Sequence, residues 1–282
     1  MSEIRENTAT FNGKGGERIF YRTYINDDEK ARMVVAHGLG EHSGRYGNVF
    51  DAVTKLGFSV WAPDHRGHGK SDGKRGHVMA FEEYIEDLRL LIEIAAKDRG
   101  DKKMVLLGHS MGGLIAITYA LRYPETIDAL VVSSPALGMV LEVPAIKEAL
   151  GKFMSKAWPG LTLGNELDAQ KISHDAEVVR DYINDPLVHD RVSARWFTEF
   201  SGAMETAMRN APNLKVPVLM QVAGDDHLVN APSSKEFFGR LAVEDRTLHV
   251  YDGNYHENYN EIEERKQTVL TDLTAWLEGH LS

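Results

Sequence analysis

The 282-residue sequence contains no cysteine, which removes disulfide bridges, thiolate metal sites and a thiol nucleophile together. Any nucleophile must be oxygen or nitrogen. No uninterrupted apolar run approaches the ~18 residues of a membrane span, and the opening Met-Ser-Glu-Ile-Arg-Glu-Asn forms no apolar signal core. Positive charge is in deficit: 32 basic side chains stand against 42 acidic ones, a net charge of −10, and Lys and Arg cluster nowhere. That balance argues against a nucleic-acid partner. These absences together describe a soluble, cytoplasmic protein.

Hydrophobic residues make up 43% of the chain, enough for a large core. At about 150 residues per domain the length suggests two domains, although α/β folds also reach it as one. Short β-branched runs recur at Arg18–Ile25, Met33–Ala36, Phe58–Ala62, Met104–Leu107, Ala129–Val132, Val216–Val222 and Thr247–Tyr251. Helical patterns separate most of the later ones, the alternation expected of a mostly parallel sheet with helices on both faces. Phe81, Tyr84, Ile85, Leu88, Leu91 and Ile92 form one apolar helical stripe. Ile262, Val269, Leu273 and Leu277 form another near the C-terminus, beside a charged run from Glu261 to Lys266 read as a solvated face. The region from Gly138 to Asn213 breaks the rhythm. It is helical in flavour, holds Pro144, Pro159 and Pro186, and shows no strand-like alternation, so it reads as an insertion.

Gly-x-Ser-x-Gly occurs twice, at Gly108-His-Ser-Met-Gly112 and Gly69-Lys-Ser-Asp-Gly73. About 0.1 accidental matches are expected at ordinary glycine and serine usage, so context decides between them. The pattern carries chemistry where a strand stops abruptly, a tight turn lifts the hydroxyl clear, and a helix points its N-terminal N–H groups at the reaction. Ser110 follows the strand-like Met104–Leu107 and precedes a good helix that runs to Leu121. Ser71 sits in a glycine-dense loop and reads as a turn residue.

A serine hydroxyl needs a base, and the base an orienting group. Behind such an elbow the partners follow in the order Ser, Asp or Glu, His, each just past a later strand. After Val216–Val222 come Asp225 and Asp226, and the Gly-x-Asp-x-x-Val spacing favours Asp226. After Thr247–Tyr251 comes His256, whose late position in a loop sets it apart from the other eleven histidines. The oxyanion requires preorganised N–H donors; those of Leu39, in His37-Gly-Leu-Gly40, and of Met111 fit. Asp64, His65 and His68 lack a partner set at a recognised metal-ligand spacing, so neither metal nor cofactor is expected.

These residues resemble the monoacylglycerol lipase and lysophospholipase group of the α/β-hydrolase fold. The resemblance rests on His37-Gly-Leu-Gly-Glu-His-Ser-Gly-Arg-Tyr46, Asp64-His-Arg-Gly-His-Gly-Lys-Ser-Asp-Gly73, Gly108-His-Ser-Met-Gly-Gly113, Gly224-Asp-Asp-His-Leu-Val229 and Tyr251-Asp-Gly-Asn-Tyr-His-Glu257. It extends into the insertion through Trp158-Pro-Gly-Leu-Thr-Leu-Gly164 and Tyr182-Ile-Asn-Asp-Pro-Leu187. It implies a hydrolase core at 1–137 and 214–282 and a helical cap at 138–213. It also implies a pocket for the glycerol part of a substrate, held by Glu41, Arg45, His109 and Tyr182. Leu39 departs from the Ala common in eukaryotic members, which bears on the acyl channel rather than on the backbone N–H. Pro186-Leu-Val-His189 is similar to bacterial lysophospholipase-like members.

The expected activity is hydrolysis of a monoacylglycerol through an acyl-serine intermediate, with a lysophospholipid as the alternative substrate. A proline iminopeptidase-like peptidase and a non-catalytic ligand-binding relative share the fold; Gly40-Glu-His-Ser-Gly-Arg-Tyr46 speaks against the first and the complete Ser, Asp, His set against the second. In the cap, Val143, Ile146, Leu150, Phe153, Met154, Ala157 and Trp158 give helical spacing to an apolar face. Packing on the sheet is its default role. An acyl tunnel with transient contact to a membrane surface is the functional one.

Overall fold

The computed structural model describes residues 3–140 and 145–280. Its strands in chain order are β1 (Ile4–Asn12), β2 (Arg18–Asn26), β3 (Ala31–Ala36), β4 (Phe58–Pro63), β5 (Lys103–His109), β6 (Ala129–Ser133), β7 (Thr162–Gly164), β8 (Arg191–Ser193), β9 (Val218–Ala223) and β10 (Arg246–Tyr251). The helices are α1 (Gly47–Lys55), α2 (Glu82–Ala95), α3 (Met111–Arg122), α4 (Ala145–Ala157), α5 (Ala176–Asn184), α6 (Ala194–Asn210), α7 (Ala231–Arg240) and α8 (Glu263–His280).

Eight strands form one sheet in the order β1-β2-β4-β3-β5-β6-β9-β10, parallel from β4 through β10, with β1 and β2 added antiparallel at one edge. The central strands β3, β4, β6 and β9 are buried along their whole length, because helices cover both faces and leave no polar side to alternate with. On one face α2 and α3 pack through Tyr84, Ile85, Leu88, Leu114, Ile115 and Ile117. On the other, α1 and α8 pack through Val49, Phe50, Val53, Leu270, Leu273 and Trp276.

Seven expected strands stand within two residues of their observed bounds. The expectations missed β1, whose Ile-Arg-Glu-Asn-Thr-Ala-Thr-Phe-Asn is almost wholly exposed and therefore shows no apolar alternation. They also missed strand pairing inside the insertion. There β7 and β8 pair antiparallel over three residues each, too few for a period of two to register. Near the C-terminus, Ile262 precedes α8 and is 39% exposed rather than part of the apolar stripe. Glu261 is buried rather than solvated, accepting the N–H of Tyr255 at 2.7 Å and facing His174 Nδ1 at 2.8 Å.

Between β6 and β9 the chain adds α4, β7, α5, β8 and α6, none of which joins the large sheet. Backbone hydrogen bonds pin this segment over the strand ends: the N–H of His189 donates to Gly40 O, that of Ser193 to Gly76 O, and that of Glu257 to Ile172 O, each at 2.8 Å. Val143 and the side chain of Ile146 lie outside the described residues.

Candidate active site

Ser110 sits where β5 ends and α3 begins, at φ 54° and ψ −120°. A non-glycine residue with positive φ costs of order 1–3 kcal/mol and persists only where its surroundings hold it. Here the Ser110 N–H donates to Ser133 O at 3.0 Å, and its carbonyl accepts from Leu114 at 3.2 Å and Ala136 at 3.0 Å. The flanking glycines permit so sharp a corner: a Cβ on Gly108 would stand 2.2 Å from Gly112 O, and one on Gly112 would stand 2.1 Å from Ala36 O. The helix thus starts pressed against β3, with Met111 at its first position.

The loop after β3 lies against the same corner, since a Cβ on Gly38 would come within 3.3 Å of Ser110 Cβ. Its conformation is set from beneath. His37 Nε2 accepts the N–H of His65 at 2.8 Å, and Asp64 accepts the Ser43 N–H at 2.9 Å and the Lys70 N–H at 2.8 Å. Ser71, the serine of the second Gly-x-Ser-x-Gly match, accepts the Phe20 N–H at 2.9 Å and donates to Asp64 O. The Asp64–Gly73 segment is therefore scaffolding. Among the described residues no group of three or more His, Asp or Glu is arranged around a metal.

After β9, Asp226 is turned inward and Asp225 outward, with side chains 1% and 56% exposed. Asp226 Oδ1 accepts the N–H groups of Leu228 at 2.9 Å and Val229 at 3.0 Å, while Oδ2 receives His256 Nδ1 at 2.7 Å. Burial alone would raise the Asp226 pKa; the charge and hydrogen bond of His256, with the two backbone donors, bring it below the usual carboxylate value. For His256 burial favours the neutral ring, but the Asp226 charge and hydrogen bond outweigh it and raise the pKa. The His109 ring, 4.7 Å from that of His256, is pulled down to about 4 by burial and by its neighbour, so it is neutral.

Ser110, His256, Leu39 and Met111 line one cavity of about 1160 Å³ that runs under the insertion. Glu41, His109 and Tyr182 line it too. Arg45 does not: its guanidinium stands behind the wall, on Glu41 Oε2 at 2.8 Å and bidentate on Glu257 at 2.5 and 2.8 Å, with the Tyr182 ring 4.7 Å away. Glu257 is a lining residue that the motif reading passed over, although its position directly after His256 is the signal that could have found it. Leu150, Met154, Leu161 and Leu163 supply an apolar wall. The described residues of this helical face thus depart from their default role of packing on the sheet. Leu150 borders the cavity while 58% exposed, and Phe153 and Trp158 are each 65% exposed.

A parallel sheet, a strained serine corner between strand and helix, and a buried Asp–His pair past later strands define an α/β-hydrolase. A family profile described as serine aminopeptidase, S33, matches residues 27–263. The chain is 40% identical to a monoacylglycerol lipase of Mycolicibacterium smegmatis over 274 residues, which is 96% of this chain and 97% of that one. The crystal structure of a monoacylglycerol lipase from Paleococcus ferrophilus superposes with a TM-score of 0.83 at 36% identity, covering 99% of both chains. A monoglyceride lipase variant from Saccharomyces cerevisiae, solved with a substrate analogue, shares the fold at a TM-score of 0.88 and 21% identity, over 97% of this chain and 95% of that one. The chain belongs to the family described as serine aminopeptidase, S33, and within it is similar to monoacylglycerol lipases.

Proposed function

We propose that this chain hydrolyses monoacylglycerols, with Ser110, His256 and Asp226 as its catalytic set and residues 138–213 as a cap over the core formed by 1–137 and 214–282. Ser110 Oγ attacks the ester carbonyl while His256 takes its proton and hands it to the departing glycerol. Asp226 holds the imidazole tautomer with Nε2 free. The N–H groups of Leu39 and Met111 receive the oxyanion, each worth about 3 kcal/mol in comparable sites. Water then repeats the sequence on the acyl-serine. Glu41, His109 and Tyr182 border the alcohol end, and Arg45 orients the two carboxylates there. The observation that carries the reading is the 2.7 Å Asp226–His256 pair opening, with Ser110, on a cavity whose far wall is leucine and methionine, a shape suited to one acyl chain.

The exposed Phe153 and Trp158 are proposed to meet a membrane surface transiently. A net charge of −10 makes such docking hydrophobic rather than electrostatic. Among the described residues no helix is long and apolar enough to cross a membrane.

The test compares monooleoylglycerol, lysophosphatidylcholine and a prolyl arylamide at matched concentrations, beside fluorophosphonate labelling of the wild type and Ser110→Ala. Fatty-acid release is expected fastest from the monoacylglycerol, with an adduct only when Ser110 is present. Faster cleavage of the arylamide, or no adduct on the wild type, overturns the reading.

A further inference from the structure

Ser110, Asp226 and His256 stand on three separate segments, and those segments meet on one buried amide. Asn258 is fully buried two residues past His256 and stands outside the cavity lining. Its Nδ2 donates to Ser133 Oγ at 3.3 Å, Ser134 Oγ at 3.3 Å and Gln221 O at 3.2 Å, while its Oδ1 accepts Asn254 Nδ2 at 3.1 Å. A backbone carbonyl can only accept, so Gln221 fixes which end of the amide points toward β6 and β9. With two N–H donors serving three acceptors, the side chain has no donor to spare. Leucine, of similar size, offers neither function. Aspartate, of the same shape, would set a carboxylate against three acceptors.

Each contact lands beside one member of the reacting set. Ser133 O accepts the Ser110 N–H at 3.0 Å and faces His109 Nδ1 at 3.1 Å, so its segment carries the serine corner. Ser134 lies in the left-handed region at φ 40°; its N–H donates to Gln221 O at 2.9 Å and its Oγ accepts the Ala223 N–H at 3.3 Å. Those bonds tie the end of β6 to the end of β9, just before Asp226. Asn254 O accepts the Asp225 N–H at 3.1 Å, which reaches the Asp226 loop from the other side. The N–H of Asn258 itself donates to His256 O at 3.2 Å. The rest of the buried network leads away from the site: Gln221 Nε2 donates to Tyr251 Oη at 2.7 Å and Val269 O at 2.9 Å, and Tyr251 Oη donates to Asp272 at 3.0 Å.

We infer that Asn258 is a positioning residue for the hydrolysis, setting the His256 loop in register with the Ser110 corner and the Asp226 loop without touching substrate. This rests on the catalytic set proposed above and adds to it the part that holds its three members at one spacing. Proton transfer from Ser110 to His256 depends steeply on that spacing, whereas the cavity that binds the substrate is lined by other residues. Loss of the amide therefore falls on turnover rather than on binding.

The experiment measures kcat and KM on monooleoylglycerol, the rate of fluorophosphonate labelling and Tm for the wild type, Asn258→Leu, Ser134→Ala and Tyr251→Phe, with kinetics taken well below each Tm. In Asn258→Leu kcat and the labelling rate are expected to fall together by about a hundredfold, as a misplacement near 1 Å does, with KM within about twofold of wild type. Ser134→Ala removes one of the three acceptors and is expected to lose about three- to tenfold in kcat, again at constant KM. Tyr251→Phe breaks the same buried network on the side away from the reaction, so it should lower Tm and leave kcat within about twofold. Wild-type kcat in a folded Asn258→Leu, a loss of kcat/KM carried by KM, or an equal loss of kcat in Tyr251→Phe overturns the inference while leaving the catalytic set intact. Should Asn258→Leu not fold, Ser134→Ala decides, and wild-type turnover and labelling there overturn it. A wild type that takes no fluorophosphonate overturns the catalytic set, and this inference with it.

Discussion

Asp226 Oδ2 and His256 Nδ1 meet at 2.7 Å across two loops 30 residues apart in sequence, while neighbouring Asp225 faces solvent 3.5 Å from His227. Removing the Asp226 charge with its geometry kept is therefore expected to cost up to ~10⁴-fold in turnover, because the imidazole loses its tautomer and the stabilisation of its cation. Asp225→Asn should stay near wild type. Steady-state kinetics on both variants checks the pair, and the reverse ranking would assign the orienting role to Asp225.

The pH profile follows from the same contact. His256 must be neutral to act as a base, and Asp226 holds its pKa above the ordinary value, so activity should rise with pH through a midpoint above about 6.5. In Asp226→Asn burial is opposed only by the charges of Glu257 and Glu41, and the midpoint of the residual activity should move to lower pH. A midpoint that stays put in the variant would mean that another group controls the acid limb.

Arg45→Met should leave two carboxylates buried without their cation and cost about 3–5 kcal/mol of stability. In the wild type, burial pushes the Glu257 pKa up but Arg45 brings it below the usual value, so its contribution is present above the unfolded value near 4.3 and lost as pH falls through the folded one. In the variant only the Asn260 hydrogen bond and His109 still oppose burial, and the folded pKa is expected to rise above the unfolded value. The deficit is then full at neutral pH and shrinks as the pH falls through that raised pKa. Urea titrations at pH 7.5 and pH 5 should show the narrowing; equal deficits would exclude the carboxylates as its cause.

Gly76 meets the inserted segment at close quarters: at φ 62° its carbonyl accepts the Ser193 N–H at 2.8 Å, and a Cβ there would stand 1.8 Å from Arg191 O. Gly76→Ala should lose about 1–2 kcal/mol to the left-handed backbone and about 1–3 kcal/mol to the forced separation. Gly202→Ala, on the exposed side of α6 with open space around it, should instead gain up to about 1 kcal/mol. Thermal unfolding of the two variants side by side is the measurement.

Replacing Phe153 and Trp158 together with serine should reduce co-sedimentation with neutral phospholipid vesicles while sparing activity on a short, water-soluble ester. Equal pelleting of variant and wild type would remove the membrane contact.

Much of this was legible in the sequence for local reasons. Buried parallel strands must be apolar throughout, which exposed β3, β5, β6 and β9, and the strand before and helix after Ser110 marked that serine, while a glycine-dense loop with neither demoted Ser71. Chain order past the late strands pointed to His256. What the sequence could not show depends on contacts between distant segments. The exposed β1 carries no apolar pattern, three-residue β7 and β8 are too short to have one, and Glu261 looks solvated until His174 and Tyr255 fold onto it. Spacing favoured Asp226 over Asp225, but which carboxylate reaches the imidazole is decided by how two loops are held over the sheet edge. The charge of the alcohol end is likewise a tertiary property: Arg45, Glu41 and Glu257 are 212 residues apart at their extremes of hydrogen-bonded contact. The motifs name them, and only packing sets the guanidinium behind the wall and the two carboxylates in it. Residue types chosen by local chemistry determined the fold and marked the candidate nucleophile; the balance of buried charges around the cavity arises where the chain returns upon itself.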